Sequence, residues 1–330
     1  QKDLDDGIDT IGKKMTVCQL YAKQIRHRGN VRYNTKNGRK RLMKLLEEDK
    51  LGGCPIDSVK LSDAKEWAIR MKEKGISYKT ISNDKRSLKA AFYTAIQDDC
   101  IRKNPFDFQL NTVIEDDTEP KVPLTPAQEE SFLSFAQNDK VYQKYYDELI
   151  ILLGTGLRIS ELCGLTDTDI NFENRIINVD HQLLRSAETG YYIETPKTKS
   201  GIRQIPMSEK VYEAFNRVLK RRRGAKAVTI DGYSNFLFLN RDGYPKTATN
   251  YDGMFRGLAK KYNKYHEEAL PKVMTPHTLR HTFCTNMANA GMNPKALQYI
   301  MGHSNITMTL NYYAHATFDS AKAEMLRIAA

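Results

Sequence analysis

The segment NTVIEDDTEPKVPL, residues 111–124, constrains the fold most because it has neither helical nor strand periodicity. It is acidic and carries prolines, a composition typical of a connection between domains. A chain of 330 residues is long enough for two or three domains. We therefore predict one domain over residues 1–110, a linker over residues 111–124 and a second domain over residues 125–330.

The part of the chain before the linker has the periodicity of helices joined by polar turns. In LSDAKEWAIRMKEKG the apolar residues recur at helical spacing, and Gly75 supplies a C-terminal stop. The next segment, TISNDKRSLKAAFYTAIQDD, places Leu88, Phe92 and Ala95 on one side. Its basic residues fit contacts with phosphates and a solvated surface equally well. The first domain is therefore predicted to be helical.

The part after the linker begins with helices and then changes its period. Thr125, Pro126 and Gln128 have the spacing of a capping box with proline at the first helical position. The segments RIINVD, GYYIET and RQIPMS have strand composition, and SEKVYEAFNRVLKRRRG returns to helical spacing. The predicted fold class is mainly α with a small antiparallel β-sheet (α+β).

The overall charge of the chain favours a polyanionic partner such as nucleic acid. The formal net charge is +11 and the isoelectric point is near 9.2. No run of about 18 apolar residues exists, and no signal peptide is recognisable. Five scattered cysteines without a C-x-x-C pair indicate neither a disulfide framework nor a zinc ribbon. We therefore expect an intracellular protein with no membrane partner.

The motif TPHTLRHTF, residues 275–283, permits two kinds of chemistry. His277 and His281 have the i,i+4 spacing that places two imidazoles on one helical face, as in a zinc pair. However, position 278 is threonine rather than the glutamate of an H-E-x-x-H motif, and no nearby cluster of cysteines or carboxylates completes a ligand set. His277 and Arg280, at i,i+3, instead suit an anion such as a phosphate. We expect the anion site and no metal.

Two further motifs carry groups of the same chemistry. In GTGLRISELCGL, Arg158 follows two glycines at a helix entrance, and Glu161 lies at i+3 where it can orient the guanidinium. In MGHSNITMTLNYYAHA, His303 follows an apolar helix and precedes a tyrosine pair, Tyr312 and Tyr313. Taken singly, each of these motifs is a weak signal.

Taken in order, the motifs resemble those of the tyrosine recombinases, the integrases of temperate phages and conjugative transposons. The resemblance rests on the arginine of GTGLRISEL, the lysines of TPKTKSGIRQIP, the H-x-x-R of PHTLRHTF, the GH of MGHSNI and the terminal tyrosine. It implies a catalytic domain over residues 122–325 and a core-binding domain before Leu110. Many such integrases also carry a small arm-binding domain, which would precede Gln1.

The resemblance implies a metal-free transfer of a DNA phosphodiester through a 3′-phosphotyrosine, with no cofactor. Such a transfer needs a nucleophile that can leave again. A phenol, with a pKa of ~10, also needs a nearby group that accepts its proton and nearby donors that stabilise the charge on the phosphoryl oxygens. Arg158 and Arg280 would bind the phosphoryl oxygens, and His303 would donate to one of them. His277 would accept the proton of the tyrosine, and a hairpin lysine would protonate the departing 5′-oxygen.

Two of these assignments involve a choice between neighbours. The family pattern favours Lys197 as the catalytic lysine, with Lys199 as the alternative. Tyr313 begins a Y-A-H triplet and is favoured as the nucleophile, whereas Tyr312 lies nine residues after His303, a common family distance. The sequence alone leaves both pairs open.

The resemblance also implies partners. We expect double-stranded DNA carrying a recombination site, a homotetramer on that DNA, an excisionase or DNA-bending host protein, and a place in the bacterial cytoplasm at the nucleoid. The tail FDSAKAEMLRIAA fits a helix that docks onto a neighbouring protomer or onto its own domain. The alternatives are a type IB topoisomerase, which relaxes supercoils, and a DNA-binding regulator that never cuts.

Overall fold

The computed structural model of the chain describes residues 12–29, 31–119, 122–196, 198–222, 228–313 and 325–326. The chain divides into two compact units, Gln1–Pro120 and Lys121–Ala330. The division falls inside the segment that the sequence predicts as a linker. No helix within the described ranges has the length and apolarity needed to cross a membrane.

The first unit is helical. Its helices are α1 (Val17–His27), α2 (Tyr33–Glu47), α3 (Leu61–Glu73) and α4 (Tyr78–Gln97). The apolar face predicted for α3 is its buried face, and its centre is Trp67, which contacts Phe106 edge to face at 5.7 Å between ring centroids. The basic residues of α4 divide: Lys85 and Lys89 bind Phe108 and Asp107 of the same unit, whereas Arg86 is exposed.

The predicted linker is longer than the segment that lacks packing. Ile114 is buried in the core of the first unit, and Leu124 is buried in that of the second. The described residues between them, 115–119 and 122–123, have no regular secondary structure and no buried side chain. The difference arises because apolar side chains near both ends of the segment gain stability by entering the adjacent cores.

The second unit combines helices with short strands. Its helices are α5 (Pro126–Asn138), α6 (Tyr146–Thr155), α7 (Ile159–Gly164), α8 (Glu209–Arg222), α9 (Ala248–Tyr265), α10 (Pro276–Asn289), α11 (Pro294–Met301) and α12 (Thr307–Leu310). The capping box predicted at Thr125 is present, with Gln128 as its partner. The apolar helix α6 packs against α8 and α10, so it forms the centre of this unit.

The strands form two small antiparallel sheets rather than the single sheet that the sequence predicts. The strands are β1 (Ile170–Asn171), β2 (Ile176–Val179), β3 (Gln182–Ser186), β4 (Gly190–Glu194) and β5 (Arg203–Pro206). One sheet has the order β1-β2-β5 and the other pairs β3 with β4 as a hairpin. The α+β class is confirmed, while β1 and β3 are additions to the three predicted strands.

Candidate active site

Arg158 lies where the chain leaves α6 and enters α7. Gly156 ends α6 in the left-handed region, with φ +62°. A Cβ atom at this position would lie 2.5 Å from a ring carbon of Phe283, so the position requires glycine for both its conformation and its space. The turn places Arg158 at the N-cap of α7 with its side chain 32% exposed. The guanidinium therefore remains accessible from solvent.

Glu161 fixes one side of the Arg158 guanidinium. Its carboxylate accepts hydrogen bonds from Nη1 of Arg158 at 2.7 Å and from the backbone N–H of Arg158 at 2.9 Å. Burial alone would raise the pKa of Glu161, but the hydrogen bond and charge of Arg203, followed by the charge of Arg158, lower it to about 2. The carboxylate is therefore ionised at neutral pH.

Arg280 lies on the buried side of α10. Its Nη1 donates to the carbonyl oxygen of Gly156, and its Nη2 donates to that of Met301. Burial lowers the pKa of Arg280 to about 9, with repulsion from Arg158 as the next cause. Because that pKa lies above 7, the guanidinium stays cationic. Arg158 donates to the carbonyl of Gly302 at 3.0 Å, so the two arginines hold adjacent peptide groups.

His303 follows the left-handed C-cap residue Gly302 at the end of α11. The ring is buried, and its Nδ1 lies 2.9 Å from the hydroxyl of Thr309. Burial lowers the pKa of His303 to about 4, and repulsion from Arg280 and Arg158 adds to the effect. The ring is therefore neutral at pH 7. When the Thr309 hydroxyl donates to Nδ1, Nε2 carries the proton and can donate it to an oxygen.

The two neighbouring tyrosines point to different partners. The hydroxyl of Tyr312 lies 3.0 Å from Nδ1 of His281 and 3.4 Å from its Nε2. The hydroxyl of Tyr313 donates instead to the carbonyl of Met292 in the loop after α10. Burial raises the pKa of Tyr312 to about 12 and also raises that of Tyr313. Of the two phenols, Tyr312 is the one directed at the α10 segment that carries Arg280.

The structure brings together three of the six residues that the sequence favours for the site. Arg158, Arg280 and His303 meet around the C-terminal end of α11. His277 is exposed in the first turn of α10. Lys197 lies outside the described residues, and its alternative, Lys199, is exposed in the turn Lys199–Gly201.

The histidine pair does not form part of a metal-ligand cluster among the described residues. The cluster with suitable ligand atoms that these residues contain is Asp169, Asp180 and His181, elsewhere in the second unit. There, the two ring nitrogens of His181 face Asp180 and the carbonyl of Gly164 at 2.6 and 2.7 Å. Both nitrogens of that ring are therefore engaged by groups of the protein itself.

Two residues of the site have roles that the sequence does not predict. His281 contacts Tyr312, although the sequence analysis offers it only as a zinc ligand. Arg203 binds Glu161 with both of its terminal nitrogens. A signal for Arg203 exists in the alternation of β5, because Arg203 and Ile205 share the buried face of that strand.

Arg158, Arg280 and the neutral ring of His303 therefore meet at the C-terminal end of α11, and the hydroxyl of Tyr312 faces α10. Residues 123–320 match the model of the phage integrase family, and this match covers more than half of the chain. The chain therefore belongs to this family of tyrosine recombinases, as the resemblance of its motifs indicates.

The relatives of the chain include transposon proteins. The transposase from transposon Tn916 of Enterococcus faecalis is 69% identical over 328 residues, which are 99% of this chain and 81% of that protein. The transposase from transposon Tn1545 of Streptococcus pneumoniae matches equally well. A tyrosine recombinase XerC-like protein of Caldanaerobacter subterraneus is 27% identical over 82% of this chain and 71% of its own length.

Solved structures support the same assignment. The integrase of transposon Tn1549, in complex with a circular intermediate DNA, is 78% identical with a TM-score of 0.91, covering 95% of this chain and 99% of that one. A lambda integrase tetramer bound to a Holliday junction has a TM-score of 0.61 at 16% identity, over 94% of this chain and 81% of that one, and shows the shared fold alone.

Proposed function

We propose that this protein is the integrase of a mobile element, and that it cuts and rejoins double-stranded DNA at specific sites during integration and excision. The observation that carries the proposal is the convergence of Arg158, Arg280 and His303 on the C-terminal end of α11, with Tyr312 beside α10. This set of groups suits phosphoryl transfer to a phenol without a metal ion.

In this proposal the two arginines bind the non-bridging oxygens of the scissile phosphate. Arg158 and Arg280 each give some of their N–H groups to carbonyls or to Glu161, which fixes the planes of both guanidinium groups. Donors held in advance cost no reorganisation when charge develops in the transition state. His303, as a neutral donor, supplies a further hydrogen bond to a phosphoryl oxygen.

We propose Tyr312, rather than the Tyr313 favoured from the sequence, as the nucleophile. Its hydroxyl faces His281, whereas that of Tyr313 is held by a backbone carbonyl. The solved structures of the Tn1549 integrase include an arginine-to-lysine and a tyrosine-to-phenylalanine variant whose substituted positions lie 154 residues apart. Arg158 and Tyr312 have the same separation in this chain.

The proton transfers complete the proposed reaction. His281 holds the Tyr312 hydroxyl before DNA binds, and His277 accepts its proton during attack on the phosphorus. Lys197 protonates the 5′-oxygen as the P–O bond to it breaks, which leaves a 3′-phosphotyrosine and a 5′-hydroxyl. The 5′-hydroxyl of a partner strand reverses these steps and releases the tyrosine, so no external energy source is needed.

The first unit would bind the DNA next to the cleavage site as a core-binding domain. Its helix α2 exposes four basic residues, Lys36, Lys40, Arg41 and Lys44. Exchange of strands between two duplexes requires four active sites, so we propose a homotetramer on DNA, acting in the cytoplasm at the nucleoid. The direction of exchange would be set by an excisionase or a DNA-bending host protein.

A nicked suicide duplex tests the proposal. The duplex carries transposon right end DNA, the DNA present in one Tn1549 integrase structure, and a nick beside the cleavage site lets the 5′-hydroxyl fragment diffuse away. We expect a covalent protein–DNA adduct, mapped by fragmentation mass spectrometry to Tyr312. Tyr312→Phe should abolish the adduct, whereas the matched control Tyr313→Phe should retain it.

Each other outcome has a defined meaning. An adduct on Tyr313 would refute the choice of tyrosine but not the reaction. Binding of the duplex without any adduct would favour the non-cutting regulator. Relaxation of supercoiled plasmid without sequence preference, by a monomer, would favour the type IB topoisomerase.

A further inference from the structure

Arg203 is a buried cation that the reaction itself does not use. It is the first residue of β5, on the face of the strand that also carries Ile205, and its side chain is 0% exposed. A buried guanidinium is costly unless its donors are satisfied. Four hydrogen bonds are made by this side chain, so its position is tightly specified by the surrounding elements.

The partners of Arg203 belong to three separate segments of the site. Its Nη1 and Nη2 donate to the two carboxylate oxygens of Glu161 at 3.1 and 2.8 Å. Its Nε donates to the carbonyl of Ile300 at 2.6 Å, and Nη1 also donates to that of Gly201 at 3.0 Å. Arg203 thus joins α7, the end of α11, and the turn that follows the lysine-bearing segment.

Three arginines bind three consecutive carbonyls at the end of α11. Arg203 binds Ile300, Arg280 binds Met301 and Arg158 binds Gly302. The last carbonyls of a helix lack intrahelical partners and carry the negative end of its dipole, so they attract cations. This row of contacts fixes the peptide groups immediately before His303.

Arg203 also determines how Glu161 divides its charge. The carboxylate is shared between Arg203 and Arg158, and together these contacts and charges overcome the effect of burial on it. Without Arg203, the carboxylate of Glu161 would lose two hydrogen bonds and would interact more strongly with Arg158. Arg158 would then be drawn into a closed ion pair, with less positive potential left for a phosphate.

We propose that Arg203 is a positioning residue of the recombinase reaction. It shares the charge of Glu161 and binds the end of α11, and by doing so it sets the orientation of Arg158 and His303 toward the scissile phosphate. It does not touch the DNA. This inference rests on the proposed function and adds to it a residue that controls the cleavage step.

The test compares wild type, Arg203→Lys and Arg203→Gln on the same nicked suicide duplex. Affinity is measured by fluorescence anisotropy, and cleavage is measured as a single turnover at saturating protein, so that only bound complexes are counted. We expect affinities within about threefold of wild type and cleavage slower by about 10²-fold, the cost of a misplacement near 1 Å at a reacting centre. Arg217→Lys is the matched control, because Arg217, on α8, also donates to a buried carboxylate, that of Asp147 on α6, at 2.8 Å.

A second substrate separates positioning from a loss of structure. A methylphosphonate at the scissile linkage has no negative charge, so its cleavage depends less on Arg158. If Arg203 acts through the orientation and charge of Arg158, the deficit of Arg203→Lys should shrink to less than about tenfold on this substrate. An equal deficit on both substrates would contradict the proposal.

The remaining outcomes separate this inference from the proposed function. If wild type forms no adduct, the proposed function fails. If wild type cleaves and both Arg203 variants cleave as fast as wild type, the inference about Arg203 fails while the proposed function stands. Parallel loss of DNA binding and cleavage in both variants, with unfolding seen by circular dichroism, would assign Arg203 to folding only and overturn the proposal.

Discussion

The same arginines lower the pKa of both Glu161 and His303, although one group is an acid and the other is a base. Positive neighbours stabilise the charged form of a carboxylate and destabilise the charged form of an imidazole. Burial opposes ionisation of both groups, but for Glu161 the hydrogen bonds and charges of its arginine partners outweigh it. Both pKa values are lowered, so the folded site binds fewer protons than the unfolded chain does.

Stability should therefore fall in two steps as the solution is acidified. The pKa of His303 falls from 6.5 to about 4, so its contribution is complete above pH 6.5 and is lost as pH falls to about 4. That of Glu161 falls from 4.5 to about 2, so its contribution is lost below pH 4.5. Each of these two losses corresponds to about 3 kcal/mol in the free energy of unfolding. Urea unfolding across this pH range measures both steps.

Two variants serve as controls for each other in that measurement. His303→Asn should flatten the pH dependence of the unfolding free energy between pH 6.5 and 4 and leave the lower step in place. Glu161→Gln should leave the upper step and flatten the lower one. A wild-type unfolding free energy that stays constant from pH 6.5 to 4 would contradict the assignment of a lowered pKa to His303.

Sequence spacing predicted the residues of the site whose partners are local. Glu161 lies one helical turn after Arg158, so their contact follows from the i,i+3 geometry. Arg203 is 97 residues from Ile300, and Tyr312 is 31 residues from His281, so neither contact has a local signal. The choice between Tyr312 and Tyr313 depends on whether each phenol meets His281 on α10 or Met292 in the loop after it, which only tertiary packing decides.

Strand composition predicted β2, β4 and β5 but not their arrangement. The sequence suggested one sheet, whereas β3 pairs only with β4 and leaves β2 to pair with β1 and β5. The sequence did not predict β3 because two adjacent leucines, Leu183 and Leu184, interrupt the alternation of apolar and polar residues that is typical of a strand. The return of the chain through β5 is what brings Arg203 beneath the end of α11.

The C-terminal turn of α11 should be the most sensitive element of the site. Gly302 has φ +59°, and a Cβ atom there would lie 3.0 Å from the carbonyl oxygen of Ser200 and 3.1 Å from Nη1 of Arg203. We expect Gly302→Ala to cost more than the ~1–2 kcal/mol of a left-handed alanine, because it also displaces backbone and a buried guanidinium. Cleavage per bound complex should fall by about 10²-fold, since the turn carries His303.

Gly291→Ala is the control for backbone strain. Gly291 has φ +78°, with no heavy atom within 4 Å of an added Cβ. This variant should lose the same ~1–2 kcal/mol in urea unfolding and keep its rate of cleavage. Equal rates in the two alanine variants would show that the end of α11 does not position the reacting groups.

The basic residues of the protein form two groups, one exposed and one buried, with different roles. The net charge of +11 comes from lysines and arginines spread along the chain, and most of them face solvent. Arg203 and Arg280, in contrast, are buried among fixed carbonyls and Glu161. Salt screens exposed charges strongly and buried charges weakly. Binding of DNA and cleavage of DNA should therefore respond differently to ionic strength.

We predict that affinity falls steeply with salt while the rate from the bound complex hardly changes. A protein that contacts 6–10 phosphates loses about 10³–10⁵ in affinity between 50 and 200 mM salt because counterions are released on binding. Single-turnover cleavage at saturating protein should change by less than about threefold over the same range, since the arginine positions are set by internal hydrogen bonds. Anisotropy and quenched-flow measurements on one suicide duplex give both quantities. A cleavage rate that fell in parallel with affinity would mean that solvent-exposed cations, rather than the buried arginines, stabilise the charge on the phosphoryl oxygens.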